Sequence, residues 1–466
     1  VTELFRADQA VAWTGARVVG GLPLVFSGVA TDSRTVADGE LFVALSGPRF
    51  DGADFLPAAA AAGATAAVVN EKALGPTEMP RLVVPDTLRA LGDLAYGYRG
   101  TLRTRSVVAV TGSVGKTTVK ELTAAALSTL GPVLKTEGNL NNEIGVPLTL
   151  FRLRPSHTAA VIEMGMSHRG EIARLAEIAR PQIGVVTSVH AVHLASLGTL
   201  DEVARAKGEL FFGLPEDGIA VANADDPRVM AQAGASGRKV VTFGRAGADV
   251  ALGEVTTADL DGLDFQVNAF GESLRVHLSL LGEHNALNAC AALAAAIPAG
   301  AKAEQAAEAL KGARSAAHRL QLVALDRGTV LLDDCYNASP ASVRAALDTL
   351  RRAAGGRRLG AVLGDMLELG SDELSLHREA GRAASGLDWL LAVGERAREI
   401  AAGARDVGVR QVVHVADAED LSGILGALGD LMRPGDAFLL KGSRGMRLER
   451  VSQKLAGTSP NQTERH

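Results

Sequence analysis

Short apolar runs alternate along this chain with stretches whose apolar residues recur every three or four positions. Val107-Val108-Ala109-Val110 reads as a buried strand. After a glycine turn, Val119, Leu122, Ala126, Leu127 and Leu130 fall on one helical face, and Gly131-Pro132 stops that helix. The same alternation predicts strands at Val133–Lys135, Ala159–Met164, Ile183–Ser188, Ile219–Ala222 and Lys239–Phe243. A second series follows at Thr329–Leu332, Leu359–Leu363, Trp389–Val393, Gln411–Val415 and Ala437–Leu440. Ahead of both lies a smaller unit, with a strand at Glu40–Leu45, a turn-rich piece at Ser46–Phe55, an alanine helix at Leu56–Ala62 and a strand at Ala66–Val69. Strands that alternate with helices build parallel sheets, whose ligands collect at the carboxyl ends of the strands.

The predicted fold class is therefore α/β in three domains. A small α/β domain spans 1–105, a central doubly wound P-loop domain 106–314, and a Rossmann-like α/β domain 315–456; residues 457–466 form a flexible tail. A length of 466 residues supports more than one core. Aromatic residues make up only 4% against 47% hydrophobic, so those cores rest on Ala, Val and Leu. The net charge of -5, with no long basic block, argues against nucleic-acid binding. The two cysteines, Cys290 and Cys335, have no metal-ligand spacing and suit a reduced cytoplasmic setting. Arg6 and Asp8 interrupt the first apolar positions, so no signal peptide is expected, and the alanine-rich runs are too short to span a bilayer.

The chemistry starts between the first central strand and its helix, at Thr111-Gly112-Ser113-Val114-Gly115-Lys116-Thr117-Thr118. Two glycines let backbone N–H groups approach phosphate oxygens, and the helix N-terminus adds positive potential. Lys116 reaches the outer phosphates and Thr117 ligates Mg2+. The early glycine of the common loop is missing, since Val110 stands there. Glu163 ends an apolar strand and is either a salt-bridged core carboxylate or a Mg2+ ligand. The amide cluster around Asn139, Asn141 and Asn142 is either a turn or a phosphate or substrate contact. His193, in a loop with His190, is either solvated or a ligand for a second metal or a phosphate. Lys207 shares a helical face with Val203 and Leu210, so it points inward or snorkels to the rim. Inward burial lowers a lysine pKa, and the neutral amine can take up CO2 as a carbamate that faces a metal.

Asn285 and Asn288 share a face at the start of the helix containing Ala289–Ala296, as a cap or as adenine contacts. His318-Arg319 opens the third unit, where an arginine suits a transferring phosphoryl group. Asp333–Pro340 is a turn after a strand, and its carboxylate suits ribose hydroxyls. Gly364–Gly370 and Lys441–Gly445 also follow strands, with Arg444 either a surface residue or a carboxylate clamp.

Taken together these segments resemble the Mur ligases, over about Val29 to Leu455. The variant loop Thr111–Thr118 is similar to the phosphate loop of that family. Gly138–Pro147, Asp333–Pro340 and Gly364–Gly370 resemble its D-alanyl-D-alanine-adding branch. The resemblance implies an ATP-dependent, amide-forming ligase of peptidoglycan synthesis. Its partners would be ATP, two Mg2+ ions, a UDP-N-acetylmuramoyl-tripeptide and D-alanyl-D-alanine, and it would act as a monomer away from membranes. Ser33, Arg34, Gly47, Phe50 and Asp51 would hold the UDP end, and Asn139 and Asn142 would contact substrate. Gly112 to Thr118 would cradle the phosphates, Thr117, Glu163, His193 and a carbamylated Lys207 would hold metal, and Asn285 and Asn288 would meet adenine. Arg319 would face the γ-phosphate and Asp334 the ribose, while Tyr336, Asn337 and Arg444 would help receive the dipeptide. The alternatives are a sister ligase adding a single amino acid, a folylpolyglutamate-synthase-like ligase, and a nucleotide-binding regulator without ligase activity.

Overall fold

The computed structural model describes residues 3–47, 51–73, 79–102, 106–190, 194–315 and 317–457. Phe50, His193 and the tail from 458 onward lie outside the described residues. Three sheets organise the rest. The first contains β1 (Arg17–Val19), β2 (Val29–Ala30), β3 (Leu41–Val43), β4 (Ala66–Val69) and β5 (Arg81–Val83), in the order β1-β5-β4-β3-β2. All its pairs are parallel except β1 with β5. The loops that carry Ser33, Arg34 and Gly47 therefore leave the carboxyl ends of adjacent parallel strands.

The central sheet has nine strands. They are β6 (Ser106–Thr111), β7 (Val133–Lys135), β8 (Ala159–Glu163), β9 (Ile183–Val186), β10 (Ile219–Asn223), β11 (Lys239–Gly244), β12 (Val250–Asp259), β13 (Gly262–Ala269) and β14 (Glu272–Leu278). The order β14-β13-β12-β11-β10-β9-β6-β8-β7 places β6 between β8 and β9. The chain runs outward from β6 in one direction to β7 and β8, then crosses to β9 on the other side. Such a reversal opens a crevice at the carboxyl ends, and the phosphate loop lies in it. The parallel part follows the predicted strands to within a few residues at their ends. The antiparallel meander β12–β14 was not predicted. β13 and β14 bury roughly alternate residues and β12 buries only Val250, so none gives a continuous apolar run.

The third sheet contains β15 (Gln321–Ala324), β16 (Val330–Asp333), β17 (Leu359–Gly364), β18 (Trp389–Val393), β19 (Gln411–Val415) and β20 (Ala437–Lys441), in the order β15-β16-β20-β17-β18-β19. Only β15 is antiparallel. The segments carrying Asp334, Lys441 and Asp365 leave the ends of three neighbouring strands, β16, β20 and β17.

Specific contacts join the units. Helix α1 (Thr87–Thr101) packs on the central domain, with Tyr98 Oη donating to the Leu153 carbonyl at 2.6 Å and Asp93 paired to Arg174 at 2.6 Å. On the other side Glu283 pairs with Arg352, and Gly282 sits against Thr349. Helix α2 (Lys116–Leu127) lies against the alanine-rich helix that begins at His284. No described helix is long and apolar enough to cross a membrane.

Candidate active site

The phosphate loop owes its shape to two glycines. Gly112 has φ +146° and Gly115 φ +89°, values that side chains disfavour. Space matters as much as φ. A Cβ on Gly112 would overlap Thr187 Oγ1, and one on Gly115 would lie 2.7 Å from Asn288 Oδ1. Thr187 Oγ1 donates to the Val114 carbonyl at 2.5 Å, while the His190 N–H donates to Ser113 Oγ at 2.9 Å. The loop is thus held from the end of β9 before any ligand arrives. Ala in place of Gly112 is expected to cost about 2–5 kcal/mol, the combined range for backbone strain and an overfilled site. Thermal unfolding of Gly112→Ala checks this, and an unchanged melting temperature would contradict it.

Lys116 begins α2, and its Nζ donates to the Gly112 carbonyl at 2.8 Å. Desolvation lowers its pKa, the Glu163 carboxylate pulls it back up, and the Arg319 guanidinium lowers it again. Two residues far apart in sequence, Glu163 and Arg319, therefore act on one ammonium. Thr117 is buried beside it.

Glu163 closes β8, opposite Val110 of β6, and is 2% exposed. Its Oε1 accepts from Asn141 Nδ2 at 2.8 Å, whereas its Oε2 is buried with no hydrogen-bond partner among the described residues. A buried carboxylate oxygen without a donor is costly, so this one fits a cation. The alternative of a salt-bridged core glutamate finds no support, since Glu163 makes no salt bridge among the described residues. The amide cluster divides its work. Asn142 Oδ1 accepts from the Ile144 and Gly145 N–H groups and starts α3 (Gly145–Leu150), which is the plain turn role. Asn141, the middle amide of the cluster, holds Glu163. Asn139 gives its carbonyl to the Asn141 N–H.

Lys207 lies on α4 (Leu200–Phe212), 2% exposed, and makes no hydrogen bond or ion pair among the described residues. It points inward, as its spacing with Val203 and Leu210 required, and does not snorkel. Desolvation, then the Lys116 ammonium, push its pKa well below the usual lysine range.

Helix α5 (His284–Ala296) brings its first turn to the loop. Its alanines, with those of α2, allow the close approach. Asn285 Nδ2 donates to the Leu281 carbonyl at 2.7 Å and Asn285 Oδ1 accepts from Asn288 Nδ2 at 2.8 Å, leaving Asn288 Oδ1 directed toward Gly115. Arg319 stacks on Tyr336, 4.2 Å from guanidinium carbon to ring centroid, and Arg444 lies over the same ring at 5.5 Å. Asp334 is occupied within the protein, as described below. Asn337 Oδ1 accepts from the Ala338 N–H. In the first unit Arg34 is held by Asp32, whose pKa it lowers to about 2, and Asp51 accepts from Ser46 Oγ and the Ala53 N–H at 3.0 Å each.

The whole chain carries matches to known domains in the same order as the three sheets. Residues 25–99 match "Mur ligase family, catalytic domain", 110–296 "Mur ligase middle domain", and 318–444 "Mur ligase, glutamate ligase domain". A relative from Escherichia coli strain K12, UDP-N-acetylmuramoyl-tripeptide–D-alanyl-D-alanine ligase, is 40% identical over 442 residues, covering 93% of this chain and 95% of its own. The chain belongs to the Mur ligase family. It is an ATP-dependent ligase that forms an amide bond. A crystal structure of MurF from Acinetobacter baumannii superposes with a TM-score of 0.88 at 32% identity, covering 97% of this chain and 99% of that one. MurF from Thermotoga maritima, solved in complex with ADP, gives 0.82 at 29% identity, covering 92% and 97%.

In this Mur ligase the structure gathers Lys116, Glu163, Lys207 and Arg319 around one loop. Sequence reasoning missed Thr187, and named Asn141 and Lys441 only within their segments, without a role for either. A buried lysine at a strand end was a readable signal for Lys441, but the partners of Asn141 and Thr187 exist only in three dimensions.

Proposed function

We propose that this ligase joins D-alanyl-D-alanine to the C-terminal carboxylate of UDP-N-acetylmuramoyl-tripeptide, converting ATP to ADP and phosphate. The substrate names come from relatives that carry them at up to 40% identity over nearly the full chain. The observation that carries the chemistry is the unpartnered oxygen of Glu163 beside Lys116.

A carboxylate oxygen of the tripeptide attacks the γ-phosphorus, and the bond to the β–γ bridging oxygen breaks to release ADP. The amine of the dipeptide then attacks the acyl carbon, loses a proton, and phosphate departs as the amide forms. Lys116, Arg319 and the N-terminus of α2 supply positive potential where two anions must meet. Thr117 and Glu163 would hold one Mg2+, and His193 with a carbamylated Lys207 a second, which would withdraw charge from the phosphate oxygens. Asn285 and Asn288 would contact adenine and Asp334 ribose. Ser33, Arg34, Gly47, Phe50 and Asp51 would hold the UDP end, a reading supported by the place of Ser33, Arg34 and Gly47 in loops after adjacent parallel strands. Asn139 and Asn142 would lie along the precursor. Tyr336, Asn337 and Arg444 would receive the dipeptide, the arginine meeting its terminal carboxylate. The domains would divide at 105 and 314, and one chain would suffice, since every residue named belongs to it. A reaction that uses ATP and a UDP-linked precursor would proceed in the cytoplasm.

Phosphate release from ATP with the UDP-tripeptide tests the reading. Release is expected on adding D-alanyl-D-alanine and not on adding L-lysine. Release with L-lysine and none with the dipeptide would overturn it.

A further inference from the structure

Arg319 sits in a linker with an unusual backbone. His318 on one side has φ +61° and Leu320 on the other has φ +49°, so two non-glycine residues occupy the left-handed region around it. Such a conformation persists when neighbours enforce it. Here they do. The Leu320 N–H donates to Asp334 Oδ1 at 3.1 Å, the Tyr336 N–H donates to the His318 carbonyl at 3.1 Å, and the His318 ring bonds Asp333 Oδ2 at 2.8 Å.

Asp334 is itself held. Lys441, at the end of β20 and 3% exposed, donates from Nζ to Asp334 Oδ2 at 2.5 Å and to the Asn337 carbonyl at 3.0 Å. One buried ammonium thus joins the carboxylate that anchors the linker to the turn that carries Tyr336, on which Arg319 stacks. His284 faces the same pair from the central domain, kept neutral chiefly by burial. Lys441 is 3% exposed, and the linker it secures carries Arg319, whose guanidinium lies near enough to Lys116 to lower the pKa of that ammonium.

We propose that Lys441 is a positioning residue for Arg319: through Asp334 it locks the His318–Leu320 linker and Tyr336, and so fixes the guanidinium at the phosphate loop. This rests on the reading of Arg319 as the residue facing the γ-phosphate.

A double-mutant cycle on the full-length enzyme tests it, with kcat and the KM for ATP measured for wild type, Lys441→Met, Arg319→Ala and the double variant. Lys441→Met is expected to lower kcat by 20-fold or more, roughly the loss of one well-placed electrostatic group, while changing the KM for ATP less than 3-fold (about 0.7 kcal/mol). In the Arg319→Ala background it should cost less than 3-fold further, by the same measure of coupling. Lys441→Arg, which keeps a charge for Asp334, should recover most of kcat. Multiplying losses in the double variant, or a raised KM for ATP with kcat intact, would overturn the proposal. Should Lys441→Met not fold, Lys441→Gln takes its place in the cycle with the same expectations. Near-normal kcat in Arg319→Ala alone would instead refute the role given to Arg319.

Discussion

Replacing Lys207 with methionine will stop the reaction and stabilise the protein. Turnover should fall by ~10³-fold, the scale reported for removing one preorganised electrostatic group. Stability should rise by about 1–3 kcal/mol in CO2-free buffer without nucleotide, because an apolar residue of similar length replaces a buried ammonium or a strained neutral amine. The two effects share one cause. Lys207 is 2% exposed and has no partner among the described residues, so its burial opposes folding at neutral pH. The sign with pH follows from linkage. The folded pKa lies well below the ordinary lysine value, so between the two the unfolded chain binds more protons and stability rises with pH. The penalty is complete below the folded pKa and vanishes above the unfolded one. The advantage of Lys207→Met over wild type should therefore shrink as pH climbs toward 10.5. Calorimetry across that range checks it, and a gap constant with pH would contradict the assignment. For the carbamate, Lys207→Ala should regain part of its activity in formate or acetate, which replace the missing carboxylate; no rescue would count against that role.

Lys207 also marks how far sequence reading reaches. A lysine in register with Val203 and Leu210 has to face inward once the helix forms, and the structure agrees. Its loss of every partner was not legible, because that depends on where α4 meets the phosphate loop. The parallel strands were legible for a similar local reason: each is a buried apolar run between turns. The meander β12–β14 escaped because β13 and β14 bury roughly alternate residues and β12 only Val250. The amide cluster shows the limit most plainly. Three asparagines within four residues look alike in sequence. Packing alone gives Asn142 a helix start and Asn141 the carboxylate of Glu163. In the same way Asp334 is a strand-end carboxylate in sequence, and only the third dimension pairs it with Lys441, which is 107 residues further along.

Glu163→Gln should separate the two readings that sequence left open for this residue. The amide keeps the shape and keeps an oxygen for Asn141 Nδ2, so the strand end should fold as before. What it removes is the negative charge on the oxygen that lacks a donor. If that oxygen serves Mg2+, the nucleotide should lose its metal-dependent share of binding. Wild-type protein with ADP should melt higher when Mg2+ is present than after its removal with EDTA, and a 100-fold excess over Kd corresponds to about 2.7 kcal/mol. In Glu163→Gln most of that increment should vanish, while the smaller effect of metal-free ADP remains. Turnover should fall by ~10²–10³-fold alongside. A core glutamate with no metal role predicts the reverse: a lower melting temperature without nucleotide, and an intact Mg2+ increment. The measurement needs no turnover, so it distinguishes a lost ligand from a lost catalyst. It also bears on Lys116. With the Glu163 charge gone, nothing described offsets its desolvation and the nearby Arg319, so its pKa should drop further. Binding of the nucleotide should then weaken as pH rises sooner in the variant than in wild type.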